Sequence, residues 1–372
     1  MKIGLEHVDD LARGAAILGT GGGGDPYIGS LMLRQAIEDG LTVELVDVDT
    51  LGDDDFAVPF AMMGAPTVIV EKIPNGDEMV AALRTTERYV GTAAKAVLCA
   101  EIGGLNALLP LVLAARCGLP VVDGDGMGRA FPQLQMITYN IFGVPASPMV
   151  MADEYSNTVL IESAAALEVE RLGRSMVVAM GGSTNICLYP MRGRDARRSM
   201  VRGTLTLALG LGRAVREARR GGGDAIDGLL GYLRSTPYYQ HCCVLFEGKA
   251  VDLLRETKSG WAMGRLVVEG VGGHAGRRCT VQFQNEHLVA HEGDRVLAIV
   301  PDLIAILDAA TAEPITTEGL KYGQRVVVVG ISAAPIMRSP EALAVFGPAA
   351  FGLPDPFVPL EQIHGTAVTR GT

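Results

Sequence analysis

The spacing of apolar residues divides this chain into two regions of different character. Leu5, Val8, Leu11, Ala15, Ile17 and Leu18 recur near the helical period and predict a helix over 5–18. A second amphipathic pattern follows Asp25-Pro26, with Leu31, Leu33 and Ile37 among its apolar positions. Strand patterns at 42–48, 57–63, 96–100 and 120–122 then alternate with helical ones at about 77–91 and 105–117. Nearly continuous apolar strands alternating with helices predict a mainly parallel sheet covered on both faces, so the N-terminal domain reads as α/β and Rossmann-like. A strand with a turn is expected over 149–161, a helix over 163–171, a further strand over 175–182 and a long helix from about Arg197 to Arg219. Beyond residue 243 the pattern shortens. Segments 244–254, 261–269, 279–286 and 325–330 read as strands divided by turn residues, which predicts a mostly β C-terminal domain with some helices. The expected division is 1–168, an α/β ligand-binding domain, and 169–372, a mostly β domain that contains the long helix.

Composition narrows the functions open to such a chain. With 372 residues and 48% hydrophobic content it has apolar surface for two cores, and a net charge of -10 argues against nucleic acid and anionic lipid as partners. The first residues lack a signal-peptide core and no segment reaches a membrane-spanning length, so the expected location is cytoplasmic. Six cysteines and six histidines show no paired metal or redox spacing. Buried thiols in a reducing compartment account for the cysteines.

Candidate chemistry gathers in the loops. Gly21-Gly22-Gly23-Gly24, after Gly19-Thr20, feeds the second helix, and such a turn exposes backbone N–H groups beside the positive end of a helix dipole. It lacks both the phosphate-loop and the dinucleotide fingerprints, and a merely flexible turn is the plain alternative. Ligands of open α/β sheets sit at the carboxyl ends of strands. That rule singles out Gly64-Ala65-Pro66, Glu101-Ile102-Gly103-Gly104-Leu105-Asn106, and the run from Asp123 to Pro132 that holds Asp125 and Arg129. Two carboxylates on a glycine-permissive backbone followed by an arginine can hold a cation or polarise water. They can equally cap turns. In the second region Asn285, Glu286 and Asp302 place polar groups at strand ends.

In this order these motifs, with Gln284-Asn285-Glu286, Pro301-Asp302-Leu303-Ile304 and Gly347-Pro348-Ala349-Ala350-Phe351-Gly352, resemble the S-methyl thiohydantoin desulfurase family from about residue 8 to 355. The run Asp123-Gly124-Asp125-Gly126-Met127-Gly128-Arg129-Ala130-Phe131-Pro132 is the specific element. The resemblance implies an α/β domain followed by a mainly β domain and, in some members, hydrolytic removal of sulfur from a thiohydantoin ring. Relatives occur beside or fused to hydantoinase and oxoprolinase subunits, which makes a non-catalytic accessory subunit of a hydantoinase-like enzyme the rival reading.

On chemical grounds Asp123 or Asp125 is the expected base toward water and Arg129 orients the carboxylates or the substrate. Glu101 completes the catalytic set. Thr20, Gly21, Gly22, Gly23, Gly24, Asn106, Asn285, Glu286 and Asp302 are the expected substrate contacts. No cofactor is predicted; a divalent metal on Asp123, Asp125 and Glu101 is the alternative, and a Cys99 nucleophile a third route. A small cyclic amide or thioamide is the expected ligand, and a homo-oligomer the expected assembly.

Overall fold

A computed structural model of the chain describes residues 1–65, 68, 71–72, 74–258 and 261–365, so Pro66 of the Gly64-Ala65-Pro66 motif lies outside the described residues. The first sheet runs in the order Lys2–Ile3, Val43–Val46, Val121–Val122, Ala96–Cys99, Phe56–Gly64, Ser183–Cys187, Met149–Ala152 and Thr158–Ile161. Its centre, from Val43–Val46 to Phe56–Gly64, is parallel, and the later strands extend it in antiparallel fashion. Helices Asp77–Val90 and Gly104–Cys117 supply parallel crossovers, and Tyr27–Glu38 packs on Gly104–Cys117. Their apolar faces and the fully buried strand Ala96–Cys99 form one core.

Helix Leu5–Leu18 packs against helix Thr204–Arg220 so closely that a Cβ on Gly14 would overlap the Ala208 carbonyl, and one on Gly212 the Asp10 carbonyl. Beside that seam Arg216 holds the buried Asp10 carboxylate through three contacts of 2.8–3.1 Å. An asparagine or alanine at 10 would leave the guanidinium without its fork.

The second sheet is wholly antiparallel, in the order Arg295–Ile299, Glu286–Glu292, Arg278–Gln284, Trp261–Gly270, Cys242–Lys258, Arg325–Ile331 and Leu303–Asp308, curved into a half-barrel. Strand alternation splits its side chains between two cores. Leu303, Ala305 and Leu307, with Val327, Val329 and Ile331, join the core of the α/β region, whereas Ile304, Ile306, Val326 and Val328 fill a separate one on the other face. The two regions therefore share an apolar seam.

Two sequence expectations change, and two further features are added to the pattern. Residues 175–182 are not a strand: helix Ala166–Ala179 covers 175–179 and a turn takes 180–182, because Val169, Gly173 and Val177 fall on one buried face while Val178 faces solvent. The long helix expected from Arg197 is broken into Gly193–Ser199 and Thr204–Arg220 by the extended pair Val201–Arg202, which hydrogen-bonds against Gly124–Asp125. Strands Glu286–Glu292, Arg295–Ile299 and Leu303–Asp308 fill a stretch the apolar pattern left unassigned. Strand Ser183–Cys187 pairs inside the first sheet, so that sheet reaches past residue 168.

Candidate active site

Strands Phe56–Gly64 and Ala96–Cys99 run parallel, and their carboxyl ends open on a cavity of about 100 Å³. Met62, Gly64, Ala100 and Glu101 line it from the strand ends, Gly22, Gly23 and Gly24 from the glycine loop, and Asn285, Glu286 and Glu318 from the second region. Met127, Phe131, Leu134, Ile137 and Leu188 make an apolar wall.

Glu101 lies two residues past the end of strand Ala96–Cys99 and is buried. Its Oε1 accepts a 2.5 Å hydrogen bond from Asn106 Nδ2, and the backbone of Phe131 supplies another. Asn106 is itself fixed. Its Oδ1 accepts from the Met62 N–H at 2.7 Å, and its Nδ2 also reaches the Met62 carbonyl at 3.3 Å, so the side chain takes over the edge of strand Phe56–Gly64 where the neighbouring strand ends. Burial pushes the Glu101 carboxyl up to about 7, helped by the nearby Asp125 charge and opposed by the Asn106 hydrogen bond.

Glu286 comes from the start of strand Glu286–Glu292, just after the turn at Asn285. Asn285 has φ 57°, stabilised by its Oδ1 accepting from the Ala262 N–H at 2.9 Å and its own N–H donating to the Ala262 carbonyl at 2.7 Å. The Glu286 carboxyl is buried against Gly22, and among the described residues its Oε2 has no partner. Burial holds it well above the carboxylate range; the Glu101 charge adds to this and Arg129 opposes it. Two carboxyl groups from different regions of the fold thus meet on one cavity, each favouring its neutral form.

The glycine loop is held chiefly from its other side. Thr20, at φ 50°, accepts the His287 N–H on its carbonyl at 2.7 Å, and the Gly21 carbonyl accepts from Thr317 N at 2.9 Å and Thr317 Oγ1 at 3.1 Å. The Gly23 and Gly24 carbonyls accept the Leu105 N–H at 3.0 and 3.3 Å, at the start of helix Gly104–Cys117. The Gly22 N–H donates to the Gly19 carbonyl at 2.9 Å. A Cβ on Gly23, whose φ is +75°, would overlap the Gly103 backbone. Here the glycines permit backbone to meet backbone. As expected, the loop leads into a helix, Tyr27–Glu38, with Asp25 Oδ1 accepting the Tyr27 N–H.

Six expected site residues lie off the cavity lining: Thr20 and Gly21, whose contacts are given above, and Asp123, Asp125, Arg129 and Asp302. Asp123 Oδ1 accepts the N–H groups of Leu205 and Thr206 at 3.0 and 3.1 Å, and Oδ2 accepts from Thr206 Oγ1, so it caps helix Thr204–Arg220. Asp125 is fully buried; its Oδ2 accepts from Ile102, Met127 and Gly128 N–H groups at 2.8–3.0 Å and its Oδ1 from Thr204 Oγ1 at 2.9 Å. Burial raises it to about 7 against those bonds. Arg129 is a buried cation set among neutral oxygens: Ala130 O, Asp302 O, Thr20 Oγ1 and His287 O, at 2.8–3.1 Å. Asp302 turns away from the cavity to accept from Ala333 N, Leu360 N and Arg338. The carboxylates of Asp123, Asp125 and Glu101 do not converge, and among the described residues no group of three or more His, Cys, Asp or Glu is placed to hold a metal ion. Cys99 is a fully buried thiol whose pKa burial raises well above its ordinary value, which disfavours the thiolate a nucleophile needs.

Other residues at the site escaped the sequence reading. His287 is buried and neutral, its Nδ1 2.9 Å from the Ile304 carbonyl, and burial lowers its pKa to about 4. Its ring lies on Gly21, in contact distance of any Cβ placed there. Arg174 lines the cavity, pairs with the buried Glu170 at 2.7 Å and stacks 4.4 Å from the Trp261 ring centroid. The position of His287 beside Glu286, at the head of one strand, was the available signal; nothing local marked Arg174 or Trp261.

Fold and site together define a class: a mixed α/β sheet joined to an antiparallel half-barrel, with acidic groups from both meeting at the seam. Residues 6–163 match the S-Me-THD-like N-terminal domain and residues 164–360 the S-Me-THD-like C-terminal domain. The chain belongs to the S-Me-THD-like family. A crystal structure of a protein from Chromobacterium violaceum is similar to it at 28% identity, with a TM-score of 0.82 over 97% of this chain and 100% of that one. No curated protein matches. Among the described residues, no helix is long and apolar enough to cross a membrane.

Proposed function

We propose that the chain is a hydrolase that removes the sulfur substituent from a small thiohydantoin-type ring, with Glu101 and Glu286 as its acid–base pair. The observation that carries this reading is the pair itself: two buried carboxyls, one from each half of the fold, on one small cavity, both with raised proton affinity. A carboxyl with a pKa near neutrality is a far better base at pH 7 than one free in water.

In an S-methyl thiohydantoin the carbon between the ring nitrogens is doubly bonded to one of them and carries the sulfur. Water attacks that carbon and gives its proton to the ionised carboxylate, while the neutral carboxylic acid protonates the imine nitrogen. The hydroxyl of the tetrahedral centre then gives its remaining proton to the carboxylate that had protonated the nitrogen and becomes a carbonyl, the C–S bond breaks, and the departing sulfur leaves as methanethiol with the proton the first carboxyl had taken. One ring and one water give one hydantoin and one thiol. The apolar wall of Met127, Phe131 and Ile137 offers the methylthio group a dry surface.

The reading is tested with the purified chain alone and an S-methyl thiohydantoin, following thiol release. Turnover without any partner supports it. Silence alone, with release only after a hydantoinase-like protein is added, replaces it with the accessory-subunit role.

A further inference from the structure

Resting on that acid–base reading, we propose that Asn106 is a positioning residue that fixes the roles within the pair, holding Glu101 as the proton acceptor and leaving Glu286 as the proton donor. The argument is geometric. Asn106 cannot turn its amide over, because Oδ1 is occupied by the Met62 N–H at 2.7 Å; its Nδ2 must therefore face Glu101 Oε1, at 2.5 Å. An amide N–H stabilises a carboxylate oxygen and has nothing to accept from a carboxylic acid at that atom.

Glu286 has no side-chain donor among the described residues, and only its own backbone N–H acts on the carboxyl. Its Oε2 has no hydrogen-bond partner among the described residues, an arrangement costly for a buried charge and tolerable for a neutral acid that meets a ligand. The groups around the two differ accordingly. Glu101 faces Asn106, the Phe131 backbone and the charge of Asp125; Glu286 faces Glu101 and Glu318, feels Arg129 from the side, and is followed by the neutral His287. The proton affinities agree in direction, with Glu101 at about 7 and Glu286 well above its ordinary value.

The order of deprotonation can be read without substrate, by carbon NMR of protein labelled at the glutamate carboxyl carbons, with signals assigned from Glu101→Gln and Glu286→Gln. The signal missing from Glu101→Gln should titrate at about 7, and the one missing from Glu286→Gln should stay protonated through that range. In Asn106→Ala the Glu101 transition should move up by about one pH unit, the expected effect of losing a hydrogen bond to a charged group, and the acid limb of the thiol-release profile should move with it. Glu286 losing its proton first, or an Asn106→Ala transition that stays in place, overturns the assignment. If Asn106→Ala does not fold, the order in the two glutamine variants decides. A protein that shows the expected order yet releases no thiol refutes the hydrolase reading and leaves this assignment standing.

Discussion

Gly22 and Glu286 are 264 positions apart in the chain, and they pack so tightly that a methyl group on Gly22 would overlap the Glu286 carboxylate. The glycine run therefore shapes the acidic site by what it lacks. Gly22→Ala should displace that carboxylate, since the backbone at 22 suits alanine and the side chain has to yield. Thiol release is expected to fall roughly 10–100-fold, a modest share of what general acid–base catalysis contributes, with little loss of thermal stability. Full activity in a folded Gly22→Ala protein would show that the Glu286 position does not matter.

The two aspartates of the Asp-Gly-Asp-Gly run should affect stability rather than chemistry. Asp123→Ala removes the cap of helix Thr204–Arg220 and is expected to cost about 1 kcal/mol, with the rate retained in the folded fraction. Asp125→Asn can keep one oxygen on the three buried N–H groups but removes the charge that strengthens those bonds and turns an amide NH2 onto Thr204 Oγ1, whose hydroxyl must reorient, so it should cost more, roughly 1–3 kcal/mol. Denaturant midpoints measured alongside the rate separate the two effects. A fully folded Asp123→Ala that is inactive would return that residue to the chemistry.

Arg129 ties the α/β region to the half-barrel through Asp302 O and His287 O on one side and Thr20 Oγ1 on the other. Arg129→Met leaves those oxygens without a donor, and the loss should be about 3 kcal/mol, seen as a lower midpoint in chemical unfolding. An unchanged midpoint would mean that the latch contributes nothing to stability.

Glu101 also makes stability depend on pH, with a definite sign. Its folded pKa of about 7 lies above the ordinary 4.5, so the folded protein binds more protons than the unfolded chain between those values. The contribution is complete below about pH 4.5 and is lost as pH rises through about 7. Glu101→Gln, which never ionises, should gain on the wild type by roughly 2–3 kcal/mol at pH 8 and show no such gain at pH 4. Equal differences at both pH values would show that the carboxyl is not perturbed.

Much of this arrangement was legible because it follows from local rules. The strand-end rule located Glu101 and the Gly64 turn, and the polar strand end Gln284-Asn285-Glu286 marked where Glu286 enters. The roles of Asp123 and Asp125 were not legible, because an Asp-Gly-Asp-Gly run looks the same whether its carboxylates face a ligand or backbone N–H groups. Pairing of Gly124–Asp125 with Val201–Arg202 decides that, and no local pattern announces it. Arg129 was unreadable for a related reason: its partners Thr20, His287 and Asp302 lie 109, 158 and 173 residues away. The strand expected at 175–182 failed because a short apolar run fits a half-buried helix as well as a strand, and only the neighbours of Val177 and Val178 distinguish them.

The most direct test of the central claim compares Glu101→Gln and Glu286→Gln with the wild type in thiol release from an S-methyl thiohydantoin, with substrate binding measured in parallel. Both substitutions remove a proton-transfer group while keeping shape and burial, so kcat should fall about 10²–10⁴-fold in each and binding should change far less. Two folded variants that both release thiol at the wild-type rate would contradict the account.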